Sequence, residues 1–171
     1  LSCFSCSREV FMVNFTIIYV GNIKDKFFAD AVAEYEKRIK GFCKLKNIEI
    51  KEKRPPDEPN EAQIKAILDA EGEKILSSIP QGAYKIALCV EGKKVTSEAL
   101  SKMLTELPHK GFSEAVFIIG SSHGLSDRVK RECDIRLSFS QLTFPHQLMR
   151  VLLLEVIYRC LNISKGTRYH K

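Results

Sequence analysis

Strand-like and helix-like segments alternate along the whole of this chain of 171 residues. In the middle, an apolar run of strand length (84–90, YKIALCV) is followed by a helical pattern that begins at Ser97 and by a second apolar run (115–119, AVFII). Two strands joined through a helix in this way form a parallel, right-handed crossover. The alternation therefore predicts an α/β fold.

The same pattern continues to both ends of the chain. Strands are predicted over 15–21, 45–53, 84–90, 115–119 and 135–139, and helices over 25–39, 61–79, 97–107, 125–133 and 145–161. With 44% hydrophobic and 28% charged residues, the chain has the balance of one globular domain with a core. We expect a mainly parallel sheet of about five strands with helices on both faces, in which 45–53 is an edge strand before a proline-rich loop.

Residues 14–171 are assigned to that single domain. The first methionine is Met12, and we expect 1–13 to be a disordered leader or an added extension. Cys3 and Cys6 have the spacing of half a zinc site, but no second pair follows, so no metal is expected. The other four cysteines are scattered, which favours the reducing cytoplasm. No apolar run approaches the roughly eighteen residues that a membrane span requires, so no membrane is expected either.

The charge and the last helix predict two kinds of partner. A net charge of +6 and a pI near 9.0 suit a polyanion such as nucleic acid. The basic stretch 44–54 either adds to that attraction or is a solvated edge strand. The predicted helix 145–161 is apolar apart from one polar sector at His146, Gln147 and Arg150 and a second, on about the opposite side, at Glu155 and Arg159. A helix that is apolar nearly all round has to be covered on most sides. We therefore expect a homodimer.

Turns that follow predicted strands are candidate ligand sites, because open α/β sheets bind ligands beyond the carboxyl ends of their strands. Those of interest are 91–93 (EGK), 120–124 (GSSHG) and 138–143 (SFSQLT). None has the GxGxxG or GxxxxGK[ST] spacing, so nicotinamide cofactors and ATP lose support. His146, early in the last helix, is either a catalytic base or a satisfied helix cap, and His123 is either a ligand contact or part of a tight turn.

Five segments carry a resemblance to a known family. They are IIYVGNIKDKFFADAVAEYEKRI, LCVEGKKVTSEALS, FIIGSSHGLSDRV, LSFSQLTFPHQLMRVLLLEVIYR and GTRYHK, and the resemblance covers 15–171. The chain resembles the RlmH family, SPOUT-class methyltransferases that act on a pseudouridine of bacterial large-subunit (23S) ribosomal RNA. The resemblance implies a C-terminal part tied into a trefoil knot, S-adenosyl-L-methionine as cofactor, a homodimer, and methylation at N3 of the pseudouridine without a metal.

The resemblance also implies which residues bind. By the matching motifs, the cofactor is contacted at Leu88, Gly120, Phe139, Ser140, Gln141, Leu142, Thr143 and Phe144, and the nucleotide at Arg168, Tyr169, His170 and Lys171. The catalytic candidates are His146, Arg150, Tyr169 and His170. A histidine would take the N3 proton while a cation favours the developing anion, and the choice of base stays open. One departure is Ser121, where the family loop usually has a second glycine; serine is tolerable there if its φ is negative.

Two other functions compete with this one. A related knotted methyltransferase would act on transfer RNA, but such enzymes usually carry another cofactor loop and further RNA-binding segments. A non-catalytic ribosome-binding or assembly factor would not need an intact loop and tail. We expect the assembled ribosome to supply specificity, because a small protein without a separate RNA-binding domain has little means of selecting one base by sequence.

Overall fold

Strands and helices alternate throughout the computed structural model, which describes residues 13–169. The strands are β1 (Asn14–Val20), β2 (Leu45–Ile50), β3 (Tyr84–Lys94), β4 (Glu114–Ile119) and β5 (Ile135–Ser138), and the helices are α1 (Lys26–Lys40), α2 (Glu61–Ser78), α3 (Ser97–Glu106), α4 (Asp127–Glu132) and α5 (His146–Ser164). The predicted elements are all present, so the α/β prediction is confirmed. Of the expected leader, only Val13 lies within the described residues, and it is buried in the core. His170 and Lys171 lie outside the described residues.

The strands form one parallel sheet in the order β2-β1-β4-β3-β5. β1 and β4 lie in the middle and are covered on both faces, which explains their nearly unbroken apolar sequences. β2 lies at an edge, as predicted, and its exposed positions carry Lys46 and Glu49. Charged side chains on an edge strand discourage pairing with another sheet.

Helices cover both faces of the sheet, as predicted. α5 packs between α1 and α3 on one face, while α2 and α4 pack on the other. Leu153, Leu154 and Ile157 of α5 are fully buried, and burial of each such side chain contributes roughly 2 kcal/mol. The Ser101 hydroxyl of α3 donates a hydrogen bond of 2.8 Å to the carbonyl of Cys160 in α5. The apolar α5 is therefore anchored firmly in the core. No helix among residues 13–169 is long and apolar enough to cross a membrane.

The end of β3 follows an unusual path around β5. Leu137 of β5 is paired with Leu88 and again with Lys93, because residues 89–92 leave the ladder and return to it. The turn predicted at 91–93 is part of this excursion. A Cβ at Gly92 would lie 2.5 Å from the carbonyl carbon of Leu137, so only glycine permits the two backbones to cross so closely. A threaded chain needs a passage of this kind, and the trefoil knot itself stays a prediction.

Candidate functional site

The carboxyl ends of β4, β3 and β5 lie side by side. Leu88 in β3 is paired with Ile119 of β4 on one side and with Leu137 of β5 on the other. The glycine turn 120–124 and the loop 139–145 therefore start at the same level of the sheet as the end of the regular part of β3. The structure brings together the segments that the sequence predicts to bind a ligand.

The turn after β4 requires glycine at its first position. A Cβ at Gly120 would overlap the carbonyl oxygen of Gly124, and the N–H of Gly124 donates a hydrogen bond of 2.9 Å to the carbonyl of Ser121. Gly124 has a φ of 87°, which favours glycine there as well. Ser121 has no positive φ, since every positive φ among the described residues belongs to a glycine, so serine is tolerated where the family usually has a second glycine. The Ser121 hydroxyl is buried and has no hydrogen-bond partner.

The loop after β5 is tied at its base and open at its tip. The Ser138 hydroxyl donates to the carbonyl of Ser140, and the Ser140 hydroxyl accepts from the N–H of Leu142, both at 2.9 Å. Phe139 packs against the core, whereas Leu142 is 71% exposed and Phe144 is also exposed. Apolar side chains beside accessible backbone groups are what a flat, polar-edged ligand such as a nucleoside requires.

His146, the first residue of α5, lies at the same edge of the sheet. A Cβ at Gly21, just after β1, would lie 3.4 Å from Nε2 of His146 and 3.3 Å from Oε2 of Glu52. The imidazole and the carboxylate therefore converge over the end of β1, which is the neighbour of β4. Gln147 fixes this end of the helix, because its Oε1 accepts a hydrogen bond of 2.8 Å from the N–H of Lys24.

Arg150, one turn further along α5, is turned into the fold. Its guanidinium carbon lies 3.7 Å from the centre of the Tyr19 ring, and its Nη2 lies 3.5 Å from Oε1 of Glu36. The side chain is 11% exposed, and its Nε–H is buried without a hydrogen-bond partner. These contacts show that the charge of Arg150 is used within the fold. Its predicted part in the chemistry stays a prediction.

The C-terminal tail lies beside the other half of α5. Tyr169 folds back on the helix, and its hydroxyl donates a hydrogen bond of 2.8 Å to Oε2 of Glu155. Arg168 is exposed. About 14 Å of helix separates Glu155 from His146, at 1.5 Å per residue. Within one chain, the structure therefore does not bring the described tail residues together with the loop 139–145.

The sequence does not predict the carboxylates that meet these site residues, Glu52 and Glu155. Glu52 lies in a charged stretch, 51–54 (KEKR), where nothing distinguishes it from its solvated neighbours. Glu155 does carry a signal, because it is the single acidic residue of a predominantly apolar helix and such a residue needs a partner. Its partners in the structure are Arg159 and Tyr169.

Comparison with known proteins identifies the family. The family model "Predicted SPOUT methyltransferase" matches residues 13–170. Ribosomal RNA large subunit methyltransferase H of Streptococcus thermophilus is 46% identical over 155 residues, which are 91% of this chain and 98% of that protein. The protein of the same name from Clostridioides difficile is 45% identical over 159 residues, 93% of this chain and all of that protein. The chain belongs to the RlmH family of SPOUT methyltransferases.

The fold of this RlmH family member is shared with proteins of very different sequence. A probable methylase family protein from Haemophilus influenzae has a TM-score of 0.51 at 9% identity, over 93% of this chain and 71% of that one. At that identity the likeness shows the fold alone. In the part of the RlmH chain that the structure describes, no three His, Cys, Asp or Glu side chains come together as a metal site requires.

Proposed function

We propose that this protein transfers a methyl group from S-adenosyl-L-methionine to N3 of a pseudouridine in large-subunit ribosomal RNA, in the cytoplasm and on the assembled ribosome. The observation that carries the proposal is the convergence of the turn 120–124, the loop 139–145 and the end of β3 in a chain of the RlmH family. Relatives of nearly the same length, named ribosomal RNA large subunit methyltransferase H, support the same activity.

The carboxyl edge of the sheet fits the cofactor. Gly120 keeps the turn compact beside the end of β3, and the buried Ser121 hydroxyl leaves an unused donor in that turn. The loop adds the exposed Leu142, which offers apolar surface to an adenine ring. The residues that would hold the cofactor are Leu88, Gly120 and residues 139–144. When bound, the cofactor would supply an electrophilic methyl group carried by a sulfonium. The sulfur would leave as a neutral thioether once the methyl group is transferred.

The protein's own residues have two tasks in this reaction, alignment and the handling of charge. As the bond from N3 to the methyl carbon forms, the N3–H bond breaks, and its proton passes to a base while the uracil ring carries negative charge. Alignment of the two substrates supplies most of the acceleration. His146 and His170 are the candidate bases. Arg150, Arg168 and Lys171 are the candidates that favour the anion.

We also propose that the active unit is a homodimer in which the tail of one subunit completes the site of the other. Within one chain the tail contact at Glu155 lies about 14 Å of helix from His146. A two-fold axis across the middle of α5 would bring the start of one copy's helix near the end of the other's. Leu148 and Leu152, one turn apart on α5, are only partly buried and belong to neither core cluster, so apolar surface is left for such a partner.

The activity is tested by transfer of labelled methyl from S-adenosyl-L-methionine to assembled ribosomes, separate subunits, naked ribosomal RNA and transfer RNA. We expect labelling of assembled particles at one pseudouridine, located by mass spectrometry. Labelling of transfer RNA would favour a related knotted transfer RNA methyltransferase. No labelling at all, together with no binding of S-adenosyl-L-methionine, would favour a ribosome-binding or assembly factor.

Subunit mixing tests the shared site. One chain lacks residues 166–171, the other carries Gly120→Ala, and neither should show much activity alone when S-adenosyl-L-methionine is kept well below the Kd of the Gly120→Ala chain. Random mixing makes half of the dimers hybrid, and each hybrid holds one intact site, so about a quarter of normal activity should return. Mixtures that stay inactive although hybrids form would show that each site is built within one chain.

A further inference from the structure

The tail leaves α5 through a tight, well-bonded turn. Gly166 has a φ of 66°. Its N–H donates a hydrogen bond to the carbonyl of Ile163, and the N–H of Thr167 donates one to the carbonyl of Asn162, both at 3.0 Å. This is the Schellman arrangement, which favours glycine at the position of Gly166. The Thr167 hydroxyl also bonds to Oδ1 of Asn162 at 2.7 Å. The chain is therefore turned back toward the helix.

Tyr169 then occupies a socket on the side of α5, made by Glu155, Tyr158 and Arg159. Its hydroxyl donates a hydrogen bond of 2.8 Å to Oε2 of Glu155. Its ring meets that of Tyr158 edge-on, with 4.7 Å between centres, and the guanidinium carbon of Arg159 lies 5.0 Å from its centre. Arg159 is also paired with the other oxygen of Glu155. The tyrosine is held by an acceptor, an aromatic edge and a cation.

Glu155 connects this socket to α1. Tyr35, in α1, lies close enough to Glu155 for the carboxylate to act on its phenol, and its ring centre lies 6.3 Å from that of Tyr158. Burial, and then the bond to Glu155, raise the pKa of Tyr35 to about 12. The Glu155 side chain is 20% exposed, so its charge is partly removed from water and is stabilised by Arg159 and by the Tyr169 phenol. Removal of this carboxylate would release partners on α1, on α5 and in the tail.

We propose that Glu155 is a positioning residue that holds the tail through the Tyr169 hydroxyl, and that the tail touches RNA through the residues around Tyr169 rather than through that hydroxyl. A phenol has one O–H to donate, and the bond to Glu155 uses it. Anchoring also restricts the tail before RNA binds, which reduces the entropy lost on binding. This inference rests on the proposed function, because it assigns the tail to RNA.

The test compares variants of the full chain in methyl transfer to assembled ribosomes that lack the modification. Glu155→Ala removes the acceptor, Tyr169→Phe removes the donor but keeps the ring, and Glu155→Gln keeps an oxygen that accepts. We expect Glu155→Ala and Tyr169→Phe each to raise KM for ribosomes about tenfold with little change in kcat. Glu155→Gln should stay within about threefold of the unaltered protein, and the Kd of S-adenosyl-L-methionine should not change in any of them.

A double-mutant cycle shows whether the two groups act as one. The variant with both Glu155→Ala and Tyr169→Phe should be no worse than either alone, because both changes remove the same contact. Asp69→Ala, which removes an exposed ion pair with Lys65 on α2, is the matched control and should leave KM unchanged. Effects that multiply, or a loss of transfer in Tyr169→Phe but not in Glu155→Ala, would place the hydroxyl on the substrate and overturn the proposal.

Cleavage by trypsin after Lys165 or Arg168 tests the anchor without any activity. Release of the tail, followed by mass spectrometry, should be faster from Glu155→Ala and Tyr169→Phe than from the unaltered protein or Asp69→Ala. Equal rates would overturn the anchor. If the unaltered protein methylates no ribosome, the proposed function fails, and these rates still decide whether Glu155 holds the tail.

Discussion

The two ends of α5 carry the two halves of the candidate site, and they differ in how firmly they are held. Before the helix, the hydrogen bonds of the loop 139–145 come from the serines at its base, and Leu142 at its tip is 71% exposed. After the helix, the tail is closed by the turn at Gly166 and bound at Tyr169. A small ligand can close a loose loop around itself, whereas a large polyanion meets an arm that is already in place.

In the proposed function, this difference separates binding of the cofactor, at the loop, from binding of RNA, at the tail. The loop carries exposed apolar surface, which a bound cofactor would cover in the proposed function. The described part of the tail, residues 166–169, is bonded within its own chain at Glu155, away from the carboxyl edge of that chain's sheet. A change at the loop end should therefore alter the Kd of S-adenosyl-L-methionine and leave the affinity for RNA unchanged. A change at the tail end should do the reverse.

Deletion of residues 166–171 should have the largest effect. We expect methyl transfer to ribosomes to fall by at least about a hundredfold, because the nucleotide is no longer aligned. The Kd of S-adenosyl-L-methionine, measured by calorimetry, should stay within about threefold of that of the full chain, because the loop 139–145 and Gly120 are intact. Loss of both activity and cofactor binding would show that the two ends of α5 act as one site.

Gly120→Ala should have the next largest effect, at the other end. The new Cβ overlaps the carbonyl oxygen of Gly124, so the turn has to open, and cofactor affinity should fall by more than about tenfold. Gly111→Ala is the control: Gly111 has a positive φ of 88°, which Gly120 does not, but a Cβ at Gly111 would meet no atom within 4 Å. That change should cost about 1 kcal/mol in stability and leave the Kd unaltered. Equal Kd values for both variants would remove Gly120 from the cofactor site.

The pattern of the sequence predicts the elements well and their long-range arrangement poorly. The apolar runs and helical spacings are local signals, and they predict the five strands and the five α-helices of the described residues, although not the 3-10 turn at Pro108–Lys110. The end of β3 at Lys94 is not local: it depends on a second pairing with β5 after Gly92 crosses Leu137. Likewise, the strand predicted over 45–53 ends at Ile50 in the structure. The backbone N–H of Lys53 donates a hydrogen bond to Glu71 of α2 instead of pairing in the sheet.

The site divides in the same way. The turns at the ends of β4 and β5 are predicted because glycine, proline and hydroxyl residues mark them, and the register of the sheet then places them together. Side-chain partners across the fold leave no such mark. Arg150 on the Tyr19 ring and Glu155 on the Tyr169 hydroxyl join residues that are distant in sequence or share no spacing rule, so only the packed structure reveals them.

Leu142→Ala should have a smaller effect on cofactor binding, at the loop end of α5. Because Leu142 is exposed, its loss should change the free energy of unfolding by less than about 0.5 kcal/mol. It should still weaken cofactor binding a few fold, since the apolar surface of the loop is reduced. Phe27→Ala, at an exposed apolar position on α1, is the control and should leave the Kd unchanged. A Kd that is also unchanged in Leu142→Ala would mean that the tip of the loop does not close on the cofactor.

The smallest effect is a dependence on pH confined to the tail end of α5. Burial and the bond to Glu155 raise the pKa of Tyr35 from 10.0 to about 12, so the folded protein holds this proton more tightly than the unfolded chain does. The resulting stabilisation is fully present below pH 10 and is lost as pH rises through about 12. Burial, and then Glu155, also raise the pKa of Tyr169, so the Tyr169 hydroxyl stays protonated at neutral pH. Ring signals of labelled tyrosine should show the Tyr35 pKa falling part of the way toward 10.0 in Glu155→Gln, with the burial contribution left. Tyr84, whose pKa is raised by burial and then by Asp134, should titrate as before, and an unmoved Tyr35 would mean that Glu155 does not join α1 to the tail.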